Sequence, residues 1–228
     1  MECMSEQRPL ALITGASRGL GAQIARQLAD THDLLLGGRP SPGLDALAAE
    51  LGALTFAADL TDHSTVAALA QSIPRLDVLV HNAGIASIAR IEDTTATDWR
   101  TMFEVNLLAV VELTKALLPA LREANGHVVL INSGAGKRAN PGWGAYAASK
   151  FGLTSFAEAL RAEEPALRVT SVFPGRIDTR MQEGIFALEG RDYSADNLLR
   201  PETVARAVVH AVHTPADAHP TEIVLRPR

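Results

Sequence analysis

The chain has 228 residues, a length that one α/β domain can reach and that buries roughly 70–75% of its extended surface. Hydrophobic residues make up 47% and charged residues 21%, which is ordinary globular composition and excludes a disordered chain. With 21 Lys and Arg against 26 Asp and Glu the formal charge is -5, so nothing draws the whole protein toward nucleic acid or anionic lipid, and no apolar run reaches the roughly 18–20 residues that span a bilayer.

Residues 1–8 form an acidic and polar lead where a signal peptide would carry a basic patch and an apolar core. The single cysteine, Cys3, lies in this lead and has no partner for a disulfide. The expectation is a cytoplasmic protein in a reducing compartment, with residues 9–228 as a single domain. Short apolar runs then recur at 10–13, 34–36, 54–58, 78–80, 128–131, 169–173 and 223–225. They do not alternate with polar residues, which suits parallel strands covered on both faces. Stretches with helical spacing separate them, at 20–29, 44–51, 66–70, 99–121, 146–161 and 203–212. This order predicts an α/β fold: a Rossmann-like, doubly wound sheet of seven mainly parallel strands flanked by helices. Residues 175–200 mix charges with Met181, Ile185, Phe186 and Tyr193 without clear periodicity, and read as a substrate loop lying over a ligand.

Three groups of residues carry chemistry. Thr14-Gly15-Ala16-Ser17-Arg18-Gly19-Leu20-Gly21 follows the first strand and opens the first helix. There Gly15 permits a tight turn, Gly19 lets backbone approach a pyrophosphate, Gly21 allows close packing, and the helix N-terminus presents free amides to an anion. Its glycine spacing is three residues and then one, unlike the common dinucleotide fingerprint of one and then two. Tyr146 and Lys150 stand four apart, hence on one helix face, where the lysine cation is expected to lower the phenol from its usual pKa of about 10. Ser133 ends the fifth strand, at the edge where doubly wound sheets bind ligands.

On these residues the chain resembles the short-chain dehydrogenase/reductase family over about residues 10–225. The family's glycine turn matches Thr14, Gly15, Gly19 and Gly21, and its asparagine-alanine-glycine matches Asn82-Ala83-Gly84. Asp59 stands at the aspartate after the third strand, Asn106 at the helix asparagine, and Pro174-Gly175 at the proline-glycine after the sixth strand. The resemblance implies that Tyr146 exchanges a proton with a carbonyl or alcohol oxygen while Ser133 hydrogen-bonds it, and that Lys150 holds the nicotinamide ribose. It further implies that Asn106 holds a water joining Lys150 to solvent. Cofactor contacts are expected from Ser17, Arg18, Leu20 and Gly21 in the turn, from Leu60 beside Asp59, and from Ile177 and Thr179 after Gly175. His81 departs from the family, which usually has another asparagine there.

The second strand ends in Gly38-Arg39, without the acid that would bind a free ribose 2′-hydroxyl. Arg18 and Arg39 can instead converge on a 2′-phosphate, so NADP(H) is expected over NAD(H). His210, His213 and His219 lack a carboxylate or cysteine to complete a metal set, and Trp143 either walls the substrate pocket or packs. In the family, helices corresponding to 98–121 and 146–161 pair across subunits. Apolar positions Met102, Val105, Leu108, Val111 and Leu117 accordingly suggest a homodimer or homotetramer. The expected partner is a small-molecule carbonyl or alcohol, with no nucleic acid or membrane. Two alternatives are a reductase of carrier-bound 3-ketoacyl groups, for which Arg138, Arg176 and Arg180 give a diffuse basic patch, and a non-catalytic NADP-sensing protein.

Overall fold

The computed structural model describes residues 8–228, so Cys3 and the rest of the lead before Arg8 lie outside the described residues. Seven strands, β1 (Leu10–Thr14), β2 (Asp33–Gly38), β3 (Leu54–Ala57), β4 (Val78–His81), β5 (His127–Ile131), β6 (Arg168–Pro174) and β7 (Glu222–Leu225), form one sheet. Its order is β3-β2-β1-β4-β5-β6-β7 and every pairing is parallel. The winding reverses between β1 and β4, which opens a crevice at the strands' carboxyl ends.

Among the described residues eight α-helices cover the two faces: α1 (Gly19–Leu28), α2 (Pro42–Leu51), α3 (His63–Ala70), α4 (Ala96–Phe103), α5 (Ala109–Ala124), α6 (Gly144–Glu163), α7 (Arg180–Leu188) and α8 (Pro201–Val212). Leu20, Ile24 and Leu28 of α1 pack with Leu44 and Leu47 of α2 and Val204 and Val208 of α8 on one face. On the other, Val66 of α3 packs with Leu113, Leu117 and Leu121 of α5 and Leu153 and Leu160 of α6. Strands β4 and β5 are buried throughout, which is why their sequences do not alternate. Local signals start the helices: Ser41 caps α2, Asp62 caps α3, and Thr95 with Asp98 forms a reciprocal capping box on α4. No helix among the described residues is long and apolar enough to cross a membrane.

Three expectations change. The single helix expected over 99–121 is α4 and α5 joined by a π-helical turn, Glu104–Leu108. The expected 175–200 loop contains α7, whose buried side is no more than Gln182, Ile185 and Phe186. A face this narrow, over nine residues with Gly184 in its middle, leaves little periodicity in the sequence. Finally, Met102 and Leu117 do not project as spare apolar surface: Met102 packs against Tyr146 and Leu117 lies in the core. Exposed apolar area remains at Leu108 (45%) and at Phe151 of α6 (44%).

Candidate active site

The glycine turn leaves β1 with Gly15 at φ +65° and Gly19 at φ +57°, backbone that non-glycine residues adopt at a cost. A Cβ on Gly15 would stand 2.9 Å from Ala83 Cα, and one on Gly21 would stand 2.3 Å from the Gly15 carbonyl oxygen. The turn is thus pressed against the end of β4. Asn82 fastens the two, its side-chain amide donating to the Thr14 and Gly15 carbonyls at 2.9 and 3.2 Å. The Thr14 hydroxyl accepts from the Asn82 and Ala83 amides, both at 3.0 Å, and donates to the Val80 carbonyl. Ser17, Arg18 and Leu20 then line the crevice while the first amides of α1 face it.

Tyr146 and Lys150 lie in the first two turns of α6, both buried. The Lys150 ammonium donates to the Ile131 carbonyl at 3.0 Å and stands 6.0 Å from the centre of the Tyr146 ring. Ser133 lies two residues beyond the end of β5, and its hydroxyl accepts from the Ala135 amide at 3.1 Å. Asn132 joins strand to helix: its side-chain oxygen accepts from the Ser133 amide at 2.8 Å, and its amide group donates to the Lys150 carbonyl at 3.2 Å. Burial pushes the Tyr146 phenol above its usual range, and hydrogen bonding with Ser133 opposes this only in part. Burial also lowers Lys150 to about 8. The expected depression of the phenol is therefore reversed. The cation that was to depress it is itself desolvated, and burial is the leading cause of the shift in both groups.

Asn106 sits in the π-helical turn, fully enclosed. Its side-chain oxygen accepts from the Ile85 amide at 2.9 Å, and its amide group donates to the Ile85 carbonyl at 3.0 Å and to Ser149 Oγ at 3.1 Å. Both amide protons are taken, so the side chain has none to give the expected water. It works as a strut between the segment after Gly84 and the turn of α6 that carries Tyr146 and Lys150. His81 is likewise internal, its Nε2 2.8 Å from the Thr114 hydroxyl.

A continuous cleft of about 2000 Å³ runs over the carboxyl ends of the strands. Every residue expected at the site lines it except Gly21 and Asn106, which support it from behind. Arg18 and Arg39 stand exposed at one end, with no ion pair among the described residues. Asp59 accepts from the Thr61 amide and hydroxyl at 3.0 and 2.8 Å, which holds its carboxyl below the usual range. Pro174, Gly175, Ile177 and Thr179 close the wall beyond β6, the Thr179 methyl lying 3.5 Å from where a Gly19 Cβ would be. Trp143 lines the cleft with its ring centre 5.6 Å from that of Tyr146. Arg176, expected as part of a diffuse basic patch, is clasped by both oxygens of Glu189 just beyond α7. The three histidines near the C-terminus are parted, His213 turning to Thr31 and His219 to the Val169 backbone.

Sequence reasoning missed Arg226, which also lines the cleft. Its Nη1 donates to the Phe173 and Leu225 carbonyls, and its Nη2 would meet a Cβ on Gly134 at 3.3 Å. Nothing in its position after the last strand signals this return to the residue beside Ser133.

Comparison with known proteins gives a consistent set of likenesses. A family model described as short chain dehydrogenase matches residues 9–189. Dehydrogenase/reductase SDR family member 11 of Homo sapiens is 30% identical over 246 residues, covering 96% of this chain and 94% of that protein. Glycine betaine reductase ATRR of Emericella nidulans is 33% identical over 236 residues, but these are 96% of this chain and only 19% of that protein's length. Among solved structures, an alcohol dehydrogenase from the archaeon Thermococcus sibiricus, complexed with 5-hydroxy-NADP, superposes with a TM-score of 0.86 at 30% identity, covering 96% of both chains.

Proposed function

The chain belongs to the short-chain dehydrogenase/reductase family, and we propose that it is an NADP(H)-dependent oxidoreductase interconverting a carbonyl and an alcohol on a small organic substrate. The observation that carries this reading is the convergence of Ser133, Tyr146 and Lys150 on one cleft with the glycine turn. The cradle fits a dinucleotide: side chains are excluded at Gly15, the first amides of α1 are open, and Arg18 and Arg39 line the same cleft as cations suited to a 2′-phosphate. The solved relative complexed with 5-hydroxy-NADP supports the same choice.

NADP(H), when bound, supplies or accepts the hydride. Lys150 then holds the nicotinamide ribose, with Asn82, Ala83 and Gly84 along the adjoining wall and Asp59 and Leu60 toward the adenine end. Ser133 donates a hydrogen bond to the substrate oxygen. Tyr146 donates its proton to that oxygen in reduction and withdraws it in oxidation. Its raised pKa keeps the phenol protonated at neutral pH, which suits the acid of the reductive direction. Asn106, through Ser149 and Ile85, is a positioning residue for this helix turn. The exposed Leu108 and Phe151 support a homodimer or homotetramer as the working form.

The test is the absorbance change of NADPH with aldehydes and ketones, and of NADP with secondary alcohols, for the wild type and Tyr146→Phe. The variant keeps the ring and loses the proton, so turnover should fall roughly 10²-fold or more with NADPH affinity little altered. Near-normal turnover in the variant would refute the assigned role of Tyr146.

A further inference from the structure

In a chain of net charge -5, the cleft is strongly basic. Eight Lys and Arg side chains line it against two carboxylates, Asp59 and Glu104. Asp59 lies beside Arg39 at the cofactor end, and Glu104 Oε1 lies 3.0 Å from His63 Nε2. Arg18, Arg39 and Lys150 are accounted for by the cofactor and the proton transfer. Of the remaining five, Arg176 is neutralised by Glu189, and Arg100 stands on α4 without an acidic partner among the described residues. Arg138, Arg180 and Arg226 have no acidic partner among the described residues.

These three are placed by the elements that build the reacting end. Arg138 lies in the connection from Ser133 to Tyr146, Arg180 opens α7 just after Thr179, and Arg226 is laid against Gly134. The Phe173 and Leu225 carbonyls hold one nitrogen of Arg226 and leave Nη2 beside the residue that follows Ser133. Uncompensated guanidinium groups in a cleft attract anions and pair with planar carboxylates through two parallel N–H groups. We propose that the substrate end of the cleft is a carboxylate subsite, and that the substrate carries a carboxylate close to its carbonyl or carbinol carbon. The subsite's place in catalysis rests on the oxidoreductase reading above, whereas its affinity for anions does not.

Two measurements separate these. The first compares reduction of 2-oxo-2-phenylacetate with that of its methyl ester, which presents the same ketone without the charge. The acid should show a kcat/KM about tenfold or more above the ester, and this ratio should drop toward unity in Arg226→Gln and Arg138→Gln. The second needs no turnover: benzoate and its neutral isostere benzamide are titrated into the enzyme–NADPH complex and followed by nicotinamide fluorescence. Benzoate should bind at least about tenfold more tightly, less so as salt rises. Equal binding of the two, or no benzoate binding, overturns the subsite even if the ester is reduced. Selective benzoate binding without reduction of any carbonyl would keep the subsite and overturn the oxidoreductase reading.

Discussion

Lowering the pH from 7 to 5 should weaken this protein through two histidines that it buries uncharged. His81 and His127 are each held at a pKa of about 3 against an ordinary 6.5, in both cases chiefly by burial. Their hydrogen bonds explain why neither can accept a proton cheaply. The Thr114 hydroxyl donates to the Val110 carbonyl, so toward His81 it can only accept, and the imidazole proton must sit on Nε2. The Thr170 hydroxyl likewise donates to the Pro220 carbonyl and accepts from His127 Nε2. In both rings Nδ1 is buried without a partner, and protonation there would create a buried cation with nothing to stabilise it. For a depressed pKa the sign is definite. The unfolded chain binds a proton between about pH 6.5 and 3 that the folded chain refuses, so stability is full above 6.5 and falls as pH falls through that window. At pH 5 the unfolded groups are about 1.5 pH units below their midpoint, a loss of about 2 kcal/mol for each histidine. Together these make about 4 kcal/mol, a large share of the roughly 5–15 kcal/mol that holds a domain folded. Urea unfolding at pH 7, 6 and 5 reads the loss directly, and His81→Asn should remove about half of the slope. Equal unfolding free energies at pH 7 and 5, or an NMR titration placing either ring near 6.5, would refute the reasoning.

Four further outcomes are expected. NADPH should bind roughly 10- to 100-fold more tightly than NADH, because charge-assisted hydrogen bonds from Arg18 and Arg39 meet a 2′-phosphate at a solvent-screened rim. Arg39→Asp should erase or reverse that ratio in fluorescence titrations, and an unchanged ratio would mean that Arg39 faces water only. Gly21→Ala forces a methyl against the Gly15 carbonyl and the Asn82 amide and should cost about 1–3 kcal/mol together with NADPH affinity. By contrast, Gly184→Ala meets nothing within 4 Å inside α7 and should stabilise by about 0.4–1 kcal/mol in urea unfolding. Light scattering at micromolar concentration should give a dimer or tetramer of the 24.2 kDa chain, reduced in mass by Phe151→Asp; a wild-type mass of one chain would remove the oligomer.

What could be read along the chain depended on whether the relevant physics is local. Strands β4 and β5 announce themselves because burial on both faces suppresses alternation, and the turn at Gly15 because its backbone conformation selects glycine. The four-residue step from Tyr146 to Lys150 is a property of any helix, so their shared face was legible before any tertiary structure. Helix α7 was not, since its anchor is a tertiary clasp between Arg176 and Glu189 and its buried side is three residues wide. Arg226 was hidden for the same reason, its return to Gly134 depending on where β7 lies in the sheet. The direction of the Tyr146 shift shows the limit most clearly. Spacing identifies the lysine as a neighbour, and a neighbouring cation alone would lower the phenol. How far that cation can remain charged depends on the water excluded around both groups, by α6 packing against the end of β5 and by the Asn106 strut behind it. Proximity is therefore written in four residues of sequence, whereas the phenol's pKa is set by the dielectric of the assembled cleft, to which residues from β4 to α6 contribute together.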